Sequence, residues 1–140
     1  IKFKDFLNEI CENIKTENKE LRLKVIRDIK SSGRPLQLRR CFINIIENAL
    51  RYSQKIVVEL NVDDEYILID VSDDGPGVPQ EKFEDIFKPF FTLDPSRNKL
   101  KGESGLGMTI ARDIVRSHGG EIALSKSLMG GLKVTIRLPR

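Results

Sequence analysis

The sequence predicts an α/β domain in which helices pack on a mostly antiparallel or mixed sheet, and three observations carry that prediction. Three segments repeat apolar residues at three- and four-residue steps, the signature of an amphipathic helix. Five segments alternate apolar and polar residues, the signature of a half-buried strand. Turn-forming residues or polar breaks separate these segments.

In order along the chain, Leu7, Ile10, Cys11 and Ile14 place a helix over about residues 3–18, ending in a polar break at 15–20. Residues 21–29 switch to alternation, with Leu21, Leu23 and Val25 opposite Arg22, Lys24 and Arg27. Ser31-Ser32-Gly33-Arg34-Pro35 supplies a turn, and residues 38–52 form a second, more apolar helix. Strands at 55–60 and 66–71 flank the polar connector Asn61-Val62-Asp63-Asp64-Glu65, which has hairpin length. The next stretch, residues 73–104, holds four of the six prolines and one short helix near 81–87. A loop that long in a compact domain is commonly functional. Leu106, Ile110, Ile114 and His118 mark a third helix, stopped by Gly119-Gly120. Strands at 121–125 and 132–138, joined by a turn at Met129-Gly130-Gly131, complete the fold.

The chain has 140 residues, 39% hydrophobic and 32% charged, which describes one domain, 1–140, without repeats. No apolar run approaches the roughly 18 residues needed to cross a bilayer, and no secretory signal opens the chain. The 24 basic and 21 acidic side chains are too evenly balanced for a dedicated nucleic-acid or membrane-surface binder, so any anion site is local. Cys11 and Cys41 sit among apolar neighbours without partners at metal-ligand spacing, and they read as reduced core thiols.

Three places could carry chemistry. Asn44, Asn48 and Arg51 fall at i, i+4 and i+7 of the second helix and share one face, beside Arg40 and Glu47. That face is either a solvent face or a site. Exposed faces usually carry Lys, Glu and Arg, because Asn is a poor helix former; an amide oxygen is a hard ligand for Mg²⁺ and an Arg neutralises phosphate. Asp73-Asp74-Gly75-Pro76-Gly77 follows a strand directly. It is either a plain turn or a place where a carboxylate accepts an exocyclic amine, such as that of adenine, while glycines let a flat ring approach the backbone. Ser104-Gly105-Leu106-Gly107 opens the third helix, where backbone N–H groups favour phosphate, although no Gly-Lys-Ser/Thr follows as in a Walker loop. Lys99 and Lys101 precede these glycines and either reach phosphates or simply keep the loop soluble.

Taken together and in this order, the motifs resemble the catalytic, ATP-binding domain of sensor histidine kinases, in the group shared with gyrase, Hsp90 and MutL. Asn44-Ile45-Ile46-Glu47-Asn48-Ala49 resembles the asparagine box and Asp73-Asp74-Gly75-Pro76-Gly77 the first glycine box. Phe87-Lys88-Pro89-Phe90-Phe91 resembles the phenylalanine box and Ser104-Gly105-Leu106-Gly107-Met108 the second glycine box. Residues 110–120 look most like bacterial osmosensor kinases of the EnvZ kind. The resemblance implies a Bergerat-type α/β (α+β) two-layer sandwich, a mixed sheet backed by three helices, with residues 73–104 forming the nucleotide-pocket loop and ATP lid.

By the same resemblance Asn48 binds Mg²⁺ and Asn44 supports metal or phosphates, while Arg51 and Tyr52 contact phosphate and nucleotide. Asp73 takes the adenine amine, Gly75 and Gly77 shape the base pocket, and Phe87 and Phe90 anchor the lid. Gly105, Leu106 and Gly107 close over the phosphates, with Lys101 beside them. The implied cofactors are ATP and Mg²⁺. The implied partners are a dimerisation and histidine-phosphotransfer domain and a downstream response regulator, with no nucleic acid. The piece itself is expected to be monomeric and cytoplasmic, within a parent anchored in the bacterial inner membrane.

Two departures stand out. Glu103 occupies a position where the second glycine box commonly has glycine, and the phosphoacceptor histidine of such kinases has no counterpart here, because His118, the single histidine, ends a helix where an imidazole caps carbonyls. A gyrase- or MutL-type hydrolase would carry Glu at position 44 to activate water, and Asn44 cannot act as a base. An anti-sigma-factor-type serine kinase of the same fold competes with the histidine kinase, as does a nucleotide-sensing or protein-docking module.

Overall fold

The computed structural model describes residues 1–91 and 105–140. Among them are three α-helices, α1 (Phe3–Asn13), α2 (Pro35–Tyr52) and α3 (Gly107–Ser117). Five strands, β1 (Glu20–Val25), β2 (Lys55–Val62), β3 (Tyr66–Asp73), β4 (Glu121–Lys126) and β5 (Leu132–Pro139), form one sheet in the order β1-β2-β3-β5-β4. β1 pairs with β2 in parallel and the other three pairings are antiparallel. The expected mixed sheet is therefore the one that forms.

Register follows the side-chain alternation. Ile56, Val58 and Leu60 of β2, Ile67, Ile69 and Val71 of β3, and Val134, Ile136 and Leu138 of β5 are buried on one face. There they join Phe3, Leu7 and Ile10 of α1, Cys41, Phe42, Ile45 and Ile46 of α2, and Ala111 and Val115 of α3 in a single core. The opposite face is polar. Lys24 lies beside Glu59, Glu59 opposite Asp70 and Asp70 opposite Thr135, with ion pairs Lys24–Glu59 at 3.8 Å and Lys133–Asp70 at 3.5 Å.

Local chemistry fixes the helix ends. Pro35 opens α2, where its missing N–H costs nothing. After α3 the chain closes a Schellman motif: the Gly119 N–H donates to Arg116 O at 3.0 Å and the Gly120 N–H to Val115 O at 3.0 Å, with Gly119 left-handed at φ 78°. A Cβ on Gly120 would stand 2.2 Å from Arg137 O, so α3 can turn directly into β4 only with glycine at 120.

Three expected elements differ. α1 stops at Asn13 rather than near residue 18, because Ile14 is extended and the Asn13 amide folds back onto Glu9 O at 2.8 Å. β1 ends at Val25 rather than 29: Ile26 and Arg27 still send their N–H groups to Leu60 O, but the chain then leaves the sheet edge. The helix expected at 81–87 is two 3₁₀ turns, Gln80–Lys82 and Glu84–Phe87, without a full α-helical turn. Among the described residues no helix is long and apolar enough to cross a membrane.

Candidate functional site at the ends of α2, β3 and α3

The motifs far apart in sequence meet at one end of the fold, and each junction is tight. Asn44 of α2 donates from Nδ2 to Gly107 O at 3.3 Å, and a Cβ on Gly107 would lie 3.7 Å from Asn44 Cβ, so α2 and the start of α3 nearly touch. One turn further, Arg51 Nη1 lies 3.5 Å from Asn48 Oδ1. Asn44, Asn48, Arg51 and Tyr52 are all half-buried, whereas Arg40 and Glu47 are exposed. The asparagine face is thus partly covered rather than fully open to solvent. Arg51 also borders a cleft of about 380 Å³ with Lys15, Thr16, Glu17, Lys19, Glu47 and Leu50.

The loop after β3 closes the second side. A Cβ on Gly75 would stand 2.7 Å from Tyr52 O, so only glycine lets this loop lie against the end of α2. Gly77 is left-handed at φ 74°, a conformation that costs glycine nothing. The two aspartates divide their labour. Asp74 Oδ1 accepts the N–H groups of Gln54 and Lys55, each at 2.9 Å, and these bonds hold its carboxyl below the usual carboxylate range. Asp73 is buried, 6% exposed, and its Oδ1 accepts from Gly75 N at 3.0 Å and Leu132 N at 3.1 Å. Burial raises its pKa against the pull of those two bonds, with the charge of Asp74 adding to the rise. Its Oδ2 has no hydrogen bond among the described residues. An acceptor in a poorly solvated place, with one lone oxygen available, is suited to a neutral N–H donor.

The third side joins the phenylalanine-rich turn to α3. Phe87 is buried, its carbonyl accepts from Thr109 Oγ1 at 2.7 Å, and the Arg112 guanidinium stacks 4.3 Å from its ring centroid while pairing with Glu84 at 2.7 Å. Phe90 is largely exposed and left-handed at φ 64°; its N–H donates to Gly105 O at 2.6 Å. Gly105 is left-handed as well, and a Cβ there would lie 2.7 Å from Phe90 Cα. Leu106 caps α3 and Gly107 begins it, so the helix N-terminus faces the Asn44 side. Lys99, Lys101 and Glu103 lie outside the described residues.

The asparagine, glycine and phenylalanine motifs thus lie close together around the ends of α2, β3 and α3. The matching family model, histidine kinase-, DNA gyrase B- and HSP90-like ATPase, spans residues 33–140. The chain belongs to that ATPase family. It is 45% identical over 109 residues, 77% of its length, to the sensor histidine kinase GtrS of Pseudomonas aeruginosa, covering 22% of that protein. It is 44% identical over 108 residues, 76% of its length, to the sensor histidine kinase CpxA of Escherichia coli, covering 24% of it. The chain thus spans about a quarter of the length of these curated relatives. Among solved structures, the mycobacterial sensor histidine kinase MprB superposes with a TM-score of 0.84 at 23% identity, over 99% of this chain and 95% of that one. The catalytic domain of the histidine kinase ThkA gives 0.85 at 23% identity, over 99% and 93%. The expected two-layer fold and the expected family both hold, and the domain is of the ATP-binding catalytic type found in sensor histidine kinases.

Two neighbours of Asp73 lie outside the sequence motifs. Gly131 and Leu132 approach Asp73 across the sheet, where the local sequence predicts only a turn ending at Gly131 and a strand beginning at Leu132. Their proximity to Asp73 comes from the β3–β5 pairing, which local motifs do not encode. The expected structural role of His118 matches its geometry: Nδ1 lies 2.8 Å from Ile114 O and Nε2 accepts the Arg34 N–H at 3.1 Å. Both thiols are unpaired; burial pushes Cys11 up to about 11 and Cys41 up to about 12.

Proposed function

We propose that this domain binds Mg·ATP and, within its longer parent, transfers the γ-phosphoryl group to a histidine on a separate dimerisation domain that in turn serves a response regulator. The observation that carries the reading is Asp73: one oxygen held by two backbone N–H groups, the other left to accept the amine of adenine. Gly75 and Gly77 form the floor on which the ring rests. Asn48, Asn44, Arg51 and Tyr52 face the phosphate end, with the N-terminus of α3 at Gly105, Leu106 and Gly107 contributing backbone N–H groups. Lys101, outside the described residues, would add a positive charge for the phosphates, and Phe87 would anchor the start of the lid.

Among the described residues no cluster of carboxylate, histidine or cysteine side chains could hold a metal by itself. The amide oxygen of Asn48 would be the protein's ligand for an ion that arrives on the nucleotide. Such an ion supplies charge neutralisation on the phosphates. The protein's share is positioning: Asn44 ties α2 to α3, and Arg51 is braced beside Asn48, so the two sides of the phosphate site are held at a fixed separation. In the transfer, the bond between the γ-phosphorus and the bridging oxygen breaks, a phosphorus–nitrogen bond forms on the acceptor, and ADP leaves.

A hydrolase reading needs a base at position 44, and the Asn44 amide there donates to Gly107 O instead. In this proposal the parent is anchored in the bacterial inner membrane with this domain on the cytoplasmic side, and the isolated domain is a monomer. The test is calorimetric titration with Mg²⁺ and an ATP analogue, followed by labelled ATP with and without the helical partner domain. Saturable binding with phosphorylation only in trans supports the reading. Steady ATP turnover by the domain alone, transfer to a protein serine, or label on His118 would each overturn it.

A further inference from the structure

The connection between β4 and β5 lies against Asp73 at the end of the neighbouring strand β3, and none of the four motifs includes it. Its backbone is pinned within itself: Ser127, which is buried, donates its N–H to Gly131 O at 2.8 Å, the Gly130 N–H donates to Ser127 O at 3.0 Å, and the Met129 N–H donates to Ser127 Oγ at 3.0 Å. The turn then grips Asp73 at main chain and side chain together. The Gly131 N–H donates to Asp73 O at 3.1 Å and the Leu132 N–H to Asp73 Oδ1 at 3.1 Å.

Space is the deciding quantity at Gly131. A Cβ there would stand 2.0 Å from Asp73 Oδ1, 2.6 Å from Gly75 N and 2.7 Å from Asp73 O. Gly131 does not share the left-handed backbone of Gly130, so what the position demands is the missing side chain itself. On its other flank the turn meets the glycine loop, because a Cβ on Gly77 would lie 3.6 Å from both Gly130 O and Gly131 O.

We propose that the β4–β5 turn, acting through Gly131, is a positioning element that presents Asp73 Oδ2 to the exocyclic amine of a purine and thereby sets base discrimination at the nucleotide site. The inference rests on the adenine reading of Asp73. Rotation of the carboxylate would exchange Oδ1 and Oδ2; the Leu132 and Gly75 donors hold Oδ1 inward, and the bare Gly131 backbone is what lets those donors come that close. Any side chain at 131 displaces the carboxylate and withdraws its open oxygen.

The experiment compares ATP with purine riboside triphosphate, which has the same ring and phosphates but no amine, in Mg²⁺-containing titrations of the wild type, Asp73→Ala, Gly131→Ala and the double variant. The wild type should prefer ATP by about tenfold or more, the loss expected for one hydrogen bond to a charged acceptor. Asp73→Ala should show no preference. In Gly131→Ala the preference should fall to about twofold while affinity for the amine-free nucleotide changes by less than about threefold, and the double variant should match Asp73→Ala.

Equal weakening of both nucleotides in Gly131→Ala, or a wild-type preference retained in it, overturns the proposal. A wild type without preference overturns the adenine reading as well; a preference lost in Asp73→Ala and kept in Gly131→Ala overturns the positioning role alone. Ser127→Ala adds no atoms and removes only the Met129 acceptor, so it provides a check if Gly131→Ala does not fold. It should lower the preference about two- to threefold with an unchanged circular dichroism spectrum, and an unchanged preference in that folded variant counts against the proposal.

Discussion

Asp73→Asn and Asp73→Ala should separate what the aspartate does for the fold from what it does for the ligand. Removal of the carboxyl in Asp73→Ala leaves the Leu132 N–H, on a residue 7% exposed, and the half-buried Gly75 N–H without their acceptor. An orphaned buried donor costs about 1–3 kcal/mol, so the two together should cost about 3 kcal/mol, with Leu132 the larger share. For a domain of this size that is a fall of roughly 10 °C in Tm. Asn keeps an oxygen for the same two donors and puts an NH₂ where Oδ2 was, so it should fold normally and meet the adenine amine with a donor.

The pH dependence sharpens the contrast. Burial raises the Asp73 pKa in the folded state, so this group stabilises the fold below its unfolded value of 3.8, and that contribution disappears as pH rises through the folded value. Above its folded value the ionised carboxyl is therefore a burden that Asn does not carry. Asp73→Asn should be at least as stable as the wild type at pH 7, with its relative advantage shrinking as pH falls towards 4. Urea unfolding at both pH values and calorimetric ATP titration at pH 7 measure the two roles. Wild-type ATP affinity in Asp73→Asn, or wild-type stability in Asp73→Ala, would refute the assignment of one oxygen to the fold and the other to the ligand.

Phe42, fully buried and edge-on to Phe6 at 6.1 Å, should cost about 3–5 kcal/mol on replacement by Ala, read as a lower urea midpoint with an unchanged slope. Cys41 should react with a thiol reagent at pH 8 only on unfolding, and Cys11 only slowly in the native state, since both thiols are pushed far above that pH; stoichiometric labelling of the native protein would contradict this. Asp74 has a lowered pKa, so its contribution is present above 3.8 and lost as pH falls through the folded value; Asp74→Ala should be less stable than the wild type at pH 7, with the gap closing in acid.

How far the sequence can be read depends on how local each determinant is. α2 and α3 are legible because their buried positions recur every three or four residues, and β2 and β3 because alternation there coincides with burial. The end of α1 is not, because Ile14 continues the helical spacing although it packs against the core from an extended backbone. Residues 81–87 have the apolar spacing of a helix, yet Phe83, Ile86 and Phe87 serve two short turns that deliver Phe87 beneath Arg112. At the site, Asn44, Asn48 and Asp73 carry a residue-type signal of their own. Gly131 does not: a glycine in a hairpin turn reads as turn chemistry, and its use against Asp73 exists only after β3 and β5 have paired.

The family match begins at residue 33, but the fold does not divide there. α1 supplies Phe3, Leu7 and Ile10, all without solvent contact, and β1 pairs with β2 along its whole length. Each of those three side chains is worth about 2–5 kcal/mol in the core, and their sum rivals the roughly 5–15 kcal/mol that holds an entire domain together. A chain trimmed to the matching region would keep every motif and should still fail to hold its structure, with Phe42 and the rim of β2 laid open to water. The shortest stretch that resembles the family and the shortest stretch that folds are different lengths of chain.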